Sequence, residues 1–489
     1  MKAIRVVGCI LAALQFILTF LLVYMLYVTK LVPFKIMVVV AVVLALLPII
    51  VVIMMKGRKS AIAGMLLSVI VSGVLCYGIY FITSTNRALD DVTGNKVEVE
   101  QINVYVSADD PIDSINSAVD SGYVFGIIRN SDQEGINNVI NQINGDLGKE
   151  ITTAEFDSVY DLAVAFESNQ IQSFIINSGM IGLLESSEQY ENYSSRLKVI
   201  LEKEVESQIV EKVEEAPFDK NRFCMYISGI DTFGSVNIKS RSDVNIIAVI
   251  NIETRTMLLI STPRDYYVEF PNLGNRKDKL THAGVFGIDT SMGTLEHLYD
   301  IDLSYYVRMN FTGFKAIIDE LGGIDVYCEN GFTGIDGDVF EAGENHLDGE
   351  RALAFARERM AFLEGDRMRG NNQMTVIKAV FEKLQSSEFL SNYASIMDSL
   401  SGTFQTDMSK EEVGELVQRQ LSDMKGWNIY SYSVSGSDGT DICSSVGAEA
   451  YVMYPFEEDV EYAKQLITTV LGDGTIDQDE INAFMTRND

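Results

Sequence analysis

Arg357, Arg359, Arg367 and Arg369 fall within thirteen positions of a chain whose formal net charge is -31, with Arg351 just upstream. Guanidinium groups repel one another, so gathering them in an acidic protein points to a fixed anion between them, such as phosphate or pyrophosphate. Taken alone, the same run also reads as a solvated charged face. A second set stands well upstream: Asp231, Arg241, Asp243 and Arg264. Two carboxylates offer hard oxygen ligands to a divalent cation such as Mg²⁺, and two guanidinium groups can take the remaining oxygens of a bridged pyrophosphate. Read singly, Asp231 and Asp243 are also ordinary turn residues.

What must position these residues is a sheet. RFCMYISGI (222–230), a polar loop, VNIIAVIN (244–251) and TMLLIS (256–261) read as three strands, the last stopped by Pro263. In an up-down-up meander the exit of the first strand, the entry of the second and the exit of the third share one end, so Asp231, Arg241, Asp243 and Arg264 converge. The strands are apolar on both faces, which implies helices on each side. RKDKLTHA (276–283) adds a basic cluster that includes Lys279. MNFTGFKAIIDELGGIDVY (309–327) reads as a helix closed by Gly322 and Gly323 before another strand. Asp366, Arg369 and Gln373 are spaced i, i+3, i+7 at the start of a further helix, with Asp366 as its N-cap, so they present one polar stripe.

Residues 1–83 contain seven Lys/Arg and no Asp or Glu, leaving 31 basic against 69 acidic residues beyond them. That balance argues against nucleic acid as a partner, which demands a broad positive footprint. Three apolar stretches, about 4–28, 34–55 and 61–82, are each long enough to cross a bilayer. Lys2, Arg5, Lys56, Arg58 and Lys59 put the N-terminus in the cytoplasm and everything after about Thr83 outside the cell. Residues 84–98 read as a linker, 99–215 as a small accessory α/β domain ending in a charged helix from Tyr190, 216–472 as the main domain and 473–489 as a polar tail. A helix is expected to start around Pro111. In the tail, GDGTIDQDEINAF imitates half an EF-hand without its first ligands. Five cysteines, two of them in apolar stretches, make no disulfide framework, though one bridge among the other three is open, and a three-histidine zinc centre would need every histidine in the protein.

In order along the chain, GIDTFGSVNIKSRSD (229–243), STPRD (261–265), KLTHA (279–283), NFTGF with LGGIDV (310–326), LDGERALAFARER (347–359) and GDRMRGNNQ (365–373) resemble the LytR-CpsA-Psr family of Gram-positive cell-wall enzymes. Three spans and an extra domain before the main one resemble its capsule-associated architecture. The resemblance implies an extracellular α/β/α sandwich that transfers a glycopolymer, capsular polysaccharide or teichoic-acid-like, from a polyprenyl-pyrophosphate carrier to peptidoglycan. It matches Asp231 and Asp243 to Mg²⁺-associated acids and Arg241, Arg264, Arg357 and Arg359 to pyrophosphate-binding arginines. Lys279, Arg369 and Gln373 are matched to the substrate head group, with Asp366 orienting them. One departure is Asn372, where many relatives carry arginine. Arg351 and Arg367 match nothing and are expected to be surface charge. Two other readings use the same residues: a non-catalytic polyprenyl-phosphate-binding scaffold or sensor, and a lipid-pyrophosphate hydrolase.

Overall fold

A computed structural model describes residues 2–30, 32–94, 97–129, 133–209, 219–230, 232, 235–334, 337–362, 365–384, 396, 402–423 and 425–486. The apolar stretches form α1 (Lys2–Thr29), α2 (Phe34–Met54) and α3 (Arg58–Gly94), each long and apolar enough to cross a membrane. They pack on one another, with a buried bond from Ser68 Oγ to Gln15 Oε1 at 2.9 Å. The expected linker at 84–98 is not a linker. Nothing between Gly78 and Gly94 breaks a helix, Ala88, Leu89 and Val92 are buried, and α3 therefore runs through to Gly94.

A second unit starts at β1 (Val97–Ser107) and continues through α4 (Ile115–Asp120), β2 (Val124–Ile128), α5 (Gln133–Leu147), β3 (Thr152–Phe156), α6 (Val159–Glu167), β4 (Ser173–Asn177), α7 (Gly179–Leu184) and β5 (Leu197–Gln208). The five strands form a sheet in the order β3-β2-β4-β1-β5. Two expectations are corrected here. Pro111 precedes α4, whose cap is Ser114, accepting from Ser117 N at 3.3 Å. The charged helix expected from Tyr190 is mostly β5, paired antiparallel along its length with β1. Glu202, Glu204 and Glu206 are exposed and alternate with half-buried Leu201, Lys203 and Val205. This period of two outweighs the helix preference of Glu and Lys.

The same unit holds the larger domain. β6 (Arg222–Ile230), β7 (Ser242–Asn251) and β8 (Thr256–Ser261) form the antiparallel meander, followed by the hairpin β9 (Tyr267–Phe270) and β10 (Arg276–Lys279), α8 (Leu280–Ala283) and α9 (Ile288–Tyr299). β11 (Tyr305–Asn310) leads into α10 (Phe311–Glu320), capped by Asn310. Small hairpins pair β12 (Ile324–Cys328) with β15 (Gly343–Leu347) and, between them, β13 (Phe332–Thr333) with β14 (Val339–Phe340). Then come α11 (Gly349–Arg357), α12 (Gly365–Leu384) and β16 (Phe404–Thr406); α13 (Lys410–Asp423) belongs to the unit of α1–α3. β17 (Asn428–Ser433), the hairpin β18 (Gly436–Cys443) and β19 (Ala448–Pro455), α14 (Glu457–Leu471) and α15 (Gln478–Met485) complete the chain order.

The main sheet runs β16-β11-β6-β7-β8-β17. Ile247, Val249, Leu258 and Ile260 pack with Met292 and Leu295 of α9 and with Leu466 and Ile467 of α14. On the alternate positions Phe223, Met225, Ala248 and Leu259 are buried as well, so the strands are apolar on both faces. The fold is the expected mixed α/β domain behind three apolar helices. The segment read as a polar tail instead carries α15: Ile481 is fully buried, Phe484 stacks on Tyr462 at 4.0 Å, and Gln478 bonds the backbone of Ser431. Apolar side chains hidden among acidic letters, Ile481 and Phe484 with Ile476 and Met485 packed beside them, make it part of the core.

Candidate functional site

The meander sets the site. Ile230 lies opposite Ser242, and Thr262 N donates to Asn245 O at 2.9 Å, so the exit of β6, the entry of β7 and the exit of β8 meet. Parallel pairing brings the ends of β11 and β17 to the same edge, with Asn310 beside Ile230 and Ser433 beside Ser261. There Asp243 Oδ2 accepts from Arg264 Nη1 at 2.7 Å, and its Oδ1 from Thr281 Oγ1 at 3.2 Å. Arg264 Nε stands 3.5 Å from Asp265, whose other oxygen is 3.3 Å from Lys279 Nζ. Charge thus alternates along Asp243, Arg264, Asp265 and Lys279. Burial pushes the Asp265 carboxyl up, but Lys279, Arg264 and Arg369 outweigh it and hold it below the usual carboxylate range. Asp265 closes the STPRD run, and the lone sequence signal for it is its place between Arg264 and the following strand.

α12 supplies the other wall. A Cβ on Gly370 would sit 2.5 Å from Ser261 Oγ, so only glycine lets the helix lie this close to the sheet end. Asn371 Oδ1 accepts from Ser433 Oγ at 2.7 Å and pins the same turn. Arg369 and Gln373, both nearly buried, line one cleft with Asp243 and Arg264. Arg367 lines it too, which corrects its assignment to surface charge: the helix start turns it inward beside Arg369. Asn372 donates to Phe355 O at 3.1 Å, tying α12 to α11.

Other predicted residues fall elsewhere. Arg357 is exposed at the end of α11 with its guanidinium 4.7 Å over the Phe311 ring, and Arg359 is exposed beyond it. Phe311 N donates to Thr232 O at 3.2 Å, so Arg357 stands near the exit of β6, but neither arginine lines the Asp243–Arg264 cleft. Arg351 donates to His346 O and Val339 O and covers the Phe340 ring, a structural stitch. Arg241 lies partly buried at the start of β7. Asp231 and the side chain of Asp366 lie outside the described residues.

Among the described residues, two groups could hold a metal. Each oxygen of Asp243 takes one donor, which leaves lone pairs for a hard cation. Asp278, His282 and Cys443 also lie together, their ligand atoms within 4.8 Å. Asp278 is saturated, however, by Lys279 N and His282 Nδ1 on one oxygen and by Ser444 Oγ and Ser445 N on the other. Burial pushes the Cys443 thiol up to about 12, away from the thiolate that binds metals. This cluster is a hydrogen-bonded hub that fixes α8, and with it Lys279 and Thr281. The other histidines pair separately, His297 with Glu269 and His346 with Asp325.

The profile of the LytR_cpsA_psr family matches residues 185–462. The polyisoprenyl-teichoic acid–peptidoglycan teichoic acid transferase TagU of Enterococcus faecalis is 34% identical over 200 residues, which cover 40% of this chain and 65% of that protein, just under two thirds. TagT of Bacillus subtilis, named for the same transfer, is 33% identical over 219 residues, 42% of this chain and 67% of that one. A solved structure of TagT bound to LI-WTA covers 53% of this chain and 95% of its own at 27% identity, with a TM-score of 0.43. With more than half of its length matched by the profile, the chain belongs to the LytR_cpsA_psr family.

Proposed function

We propose that the protein is a membrane-anchored phosphotransferase that moves a glycopolymer from a polyprenyl-pyrophosphate carrier to peptidoglycan. The observation that carries this is the Asp243–Arg264 pair at the sheet end, facing Arg367, Arg369 and Gln373 of α12 across one cleft. Three arginines around a small polar cleft suit a pyrophosphate, whose transfer depends on positioning and charge stabilisation. The named transfer of the relatives supports the same reaction.

In this reading Arg264, Arg367 and Arg369 take the pyrophosphate oxygens, and Gln373 orients the head group. An acceptor hydroxyl attacks the sugar-proximal phosphorus, the bond to the bridging oxygen breaks, and polyprenyl phosphate leaves with the bonding electrons. The hydroxyl proton passes to one of the two carboxylates, Asp231 or Asp243. Lys279 keeps Asp265 ionised, and Asp265 in turn holds Arg264 in place. Asp243, with Asp231, would hold Mg²⁺, which supplies charge neutralisation on the phosphate oxygens. Arg241, Arg357 and Arg359 guard the approach from the β6 side. The basic residues flanking α1–α3 favour a cytoplasmic N-terminus, which puts the domains after α3 outside the cell.

The test is the full chain in nanodiscs with a polyprenyl-pyrophosphate-linked oligosaccharide, peptidoglycan fragments and Mg²⁺. Glycan-linked product and free polyprenyl phosphate are expected, and both are lost in Arg264→Ala. Intact donor would sink the transferase in favour of a binding scaffold, and free oligosaccharide phosphate would mark a hydrolase.

A further inference from the structure

The smaller sheet domain is built into the larger one beside the site. Val99 N donates to Asn237 O at 2.8 Å, and Lys239 N donates to Val99 O at 3.0 Å, stitching β1 to the loop before β7. Glu100 pairs with Lys239, each side chain about nine-tenths buried. Glu98, two residues earlier on the same face of β1, accepts from Arg308 Nη1 at 2.5 Å and from Ile288 N at 3.1 Å. One carboxylate thereby neutralises a fully buried arginine of β11 and caps α9. Gly287, at φ +115, makes room for it, since a Cβ there would lie 2.6 Å from Glu98 Oε2. Farther along, the Arg241 guanidinium lies 3.9 Å from where a Cβ on Gly182 of α7 would stand.

Buried carboxylates are costly unless paired, so two on adjacent same-face positions, each meeting a cation of the neighbouring domain, mark a built interface rather than a tether. Glu98, Glu100 and Gly182 all precede residue 185, where the family match begins. We propose that this domain is a wall of the site: the Val99 backbone and Glu100 fix the 235–241 loop, Glu98 anchors β1 to β11 and α9, and α7 backs Arg241, so that Arg241 is held in one orientation toward an incoming anionic ligand. The inference rests on the pyrophosphate-transfer reading for the ligand. The clamping of the loop stands apart from it.

Two arms of one experiment on the full chain in nanodiscs keep these separable. In hydrogen–deuterium exchange, Glu100→Gln is expected to speed the amides of 235–241 by about tenfold while β7 and β8 stay protected. Unchanged exchange in the loop, or equal loosening of both sheets, overturns the clamp. In the transfer assay, Gly182→Leu, which leaves the buried pairs intact, is expected to raise the donor KM about tenfold with kcat within twofold. Its effect disappears in an Arg241→Ala background. An equal loss in that background overturns the role of α7 as a backing for Arg241. If the wild type transfers nothing, the transferase reading fails and the exchange arm still decides the clamp.

Discussion

Gly370→Ala is the substitution whose effect follows most directly from distances. The new Cβ would stand 2.5 Å from Ser261 Oγ and 3.3 Å from Ser261 Cβ, against ordinary contacts of 3.4 Å or more. Turning the hydroxyl relieves the first overlap only in part and the second remains, so α12 must back away by between a few tenths and about 1 Å. Overpacking of this kind costs about 1–3 kcal/mol, within the ~5–15 kcal/mol that a domain commands, so the protein stays folded. Arg367, Arg369 and Gln373 ride on the same rigid turn and shift together. A misplacement near 1 Å costs up to about 100-fold in rate, equivalent to about 2.7 kcal/mol of barrier. The expected result is a 10- to 100-fold loss (order of magnitude) in kcat/KM for polyprenyl phosphate release, with a melting temperature lower by only a few degrees. Ser261→Ala removes the nearer atom and should restore about half of the lost barrier energy to the double variant. Activity of Gly370→Ala within twofold of wild type, or a loss that Ser261→Ala leaves untouched, refutes the close-approach argument.

Arg367→Ala is expected to lower transfer by about tenfold or more, whereas Arg351→Ala should cost about 1–2 kcal/mol of stability and leave turnover within twofold; paired kinetics and melts distinguish them. Asp278→Asn should lower the melting temperature at pH 7. Burial raises the Asp278 carboxyl, but His282 and Ser445 outweigh it and the folded value is lowered, so its contribution is present above the unfolded value near 3.9 and lost as pH falls through the lower folded one. The gap between variant and wild type is therefore expected to narrow in melts taken below about pH 4. Cys443, with its thiol pushed up to about 12, should resist iodoacetamide at pH 8 in the folded protein and react on denaturation; rapid native labelling would contradict its burial.

The meander was legible because its strands are apolar on both faces and end in Pro263, and that pattern alone carries Asp243 to Arg264. Arg369 and Gln373 were legible from helical spacing. Arg367 was not, because its direction depends on how closely α12 seats on Ser261, and that seating rests on a glycine rather than on a charged letter. β5 was misread because its glutamates favour helix locally while β1 supplies the partner that makes it a strand. The interface at Glu98 and Glu100 was invisible for a related reason. Acidic residues at a strand start look solvated until Arg308 and Lys239, far along the chain, arrive to bury them.

The strand order also bears on biosynthesis. β11 and β8 stand at the margins of the first four strands, and their outer partners, β16 and β17, are made only at residues 404–406 and 428–433. Until then both margins expose unsatisfied backbone donors and acceptors next to apolar faces, the arrangement that invites intermolecular pairing. The nascent domain therefore cannot mature segment by segment as it emerges. Its sheet is complete only once β17 arrives, and premature termination before residue 428 is expected to yield aggregates rather than a smaller folded domain.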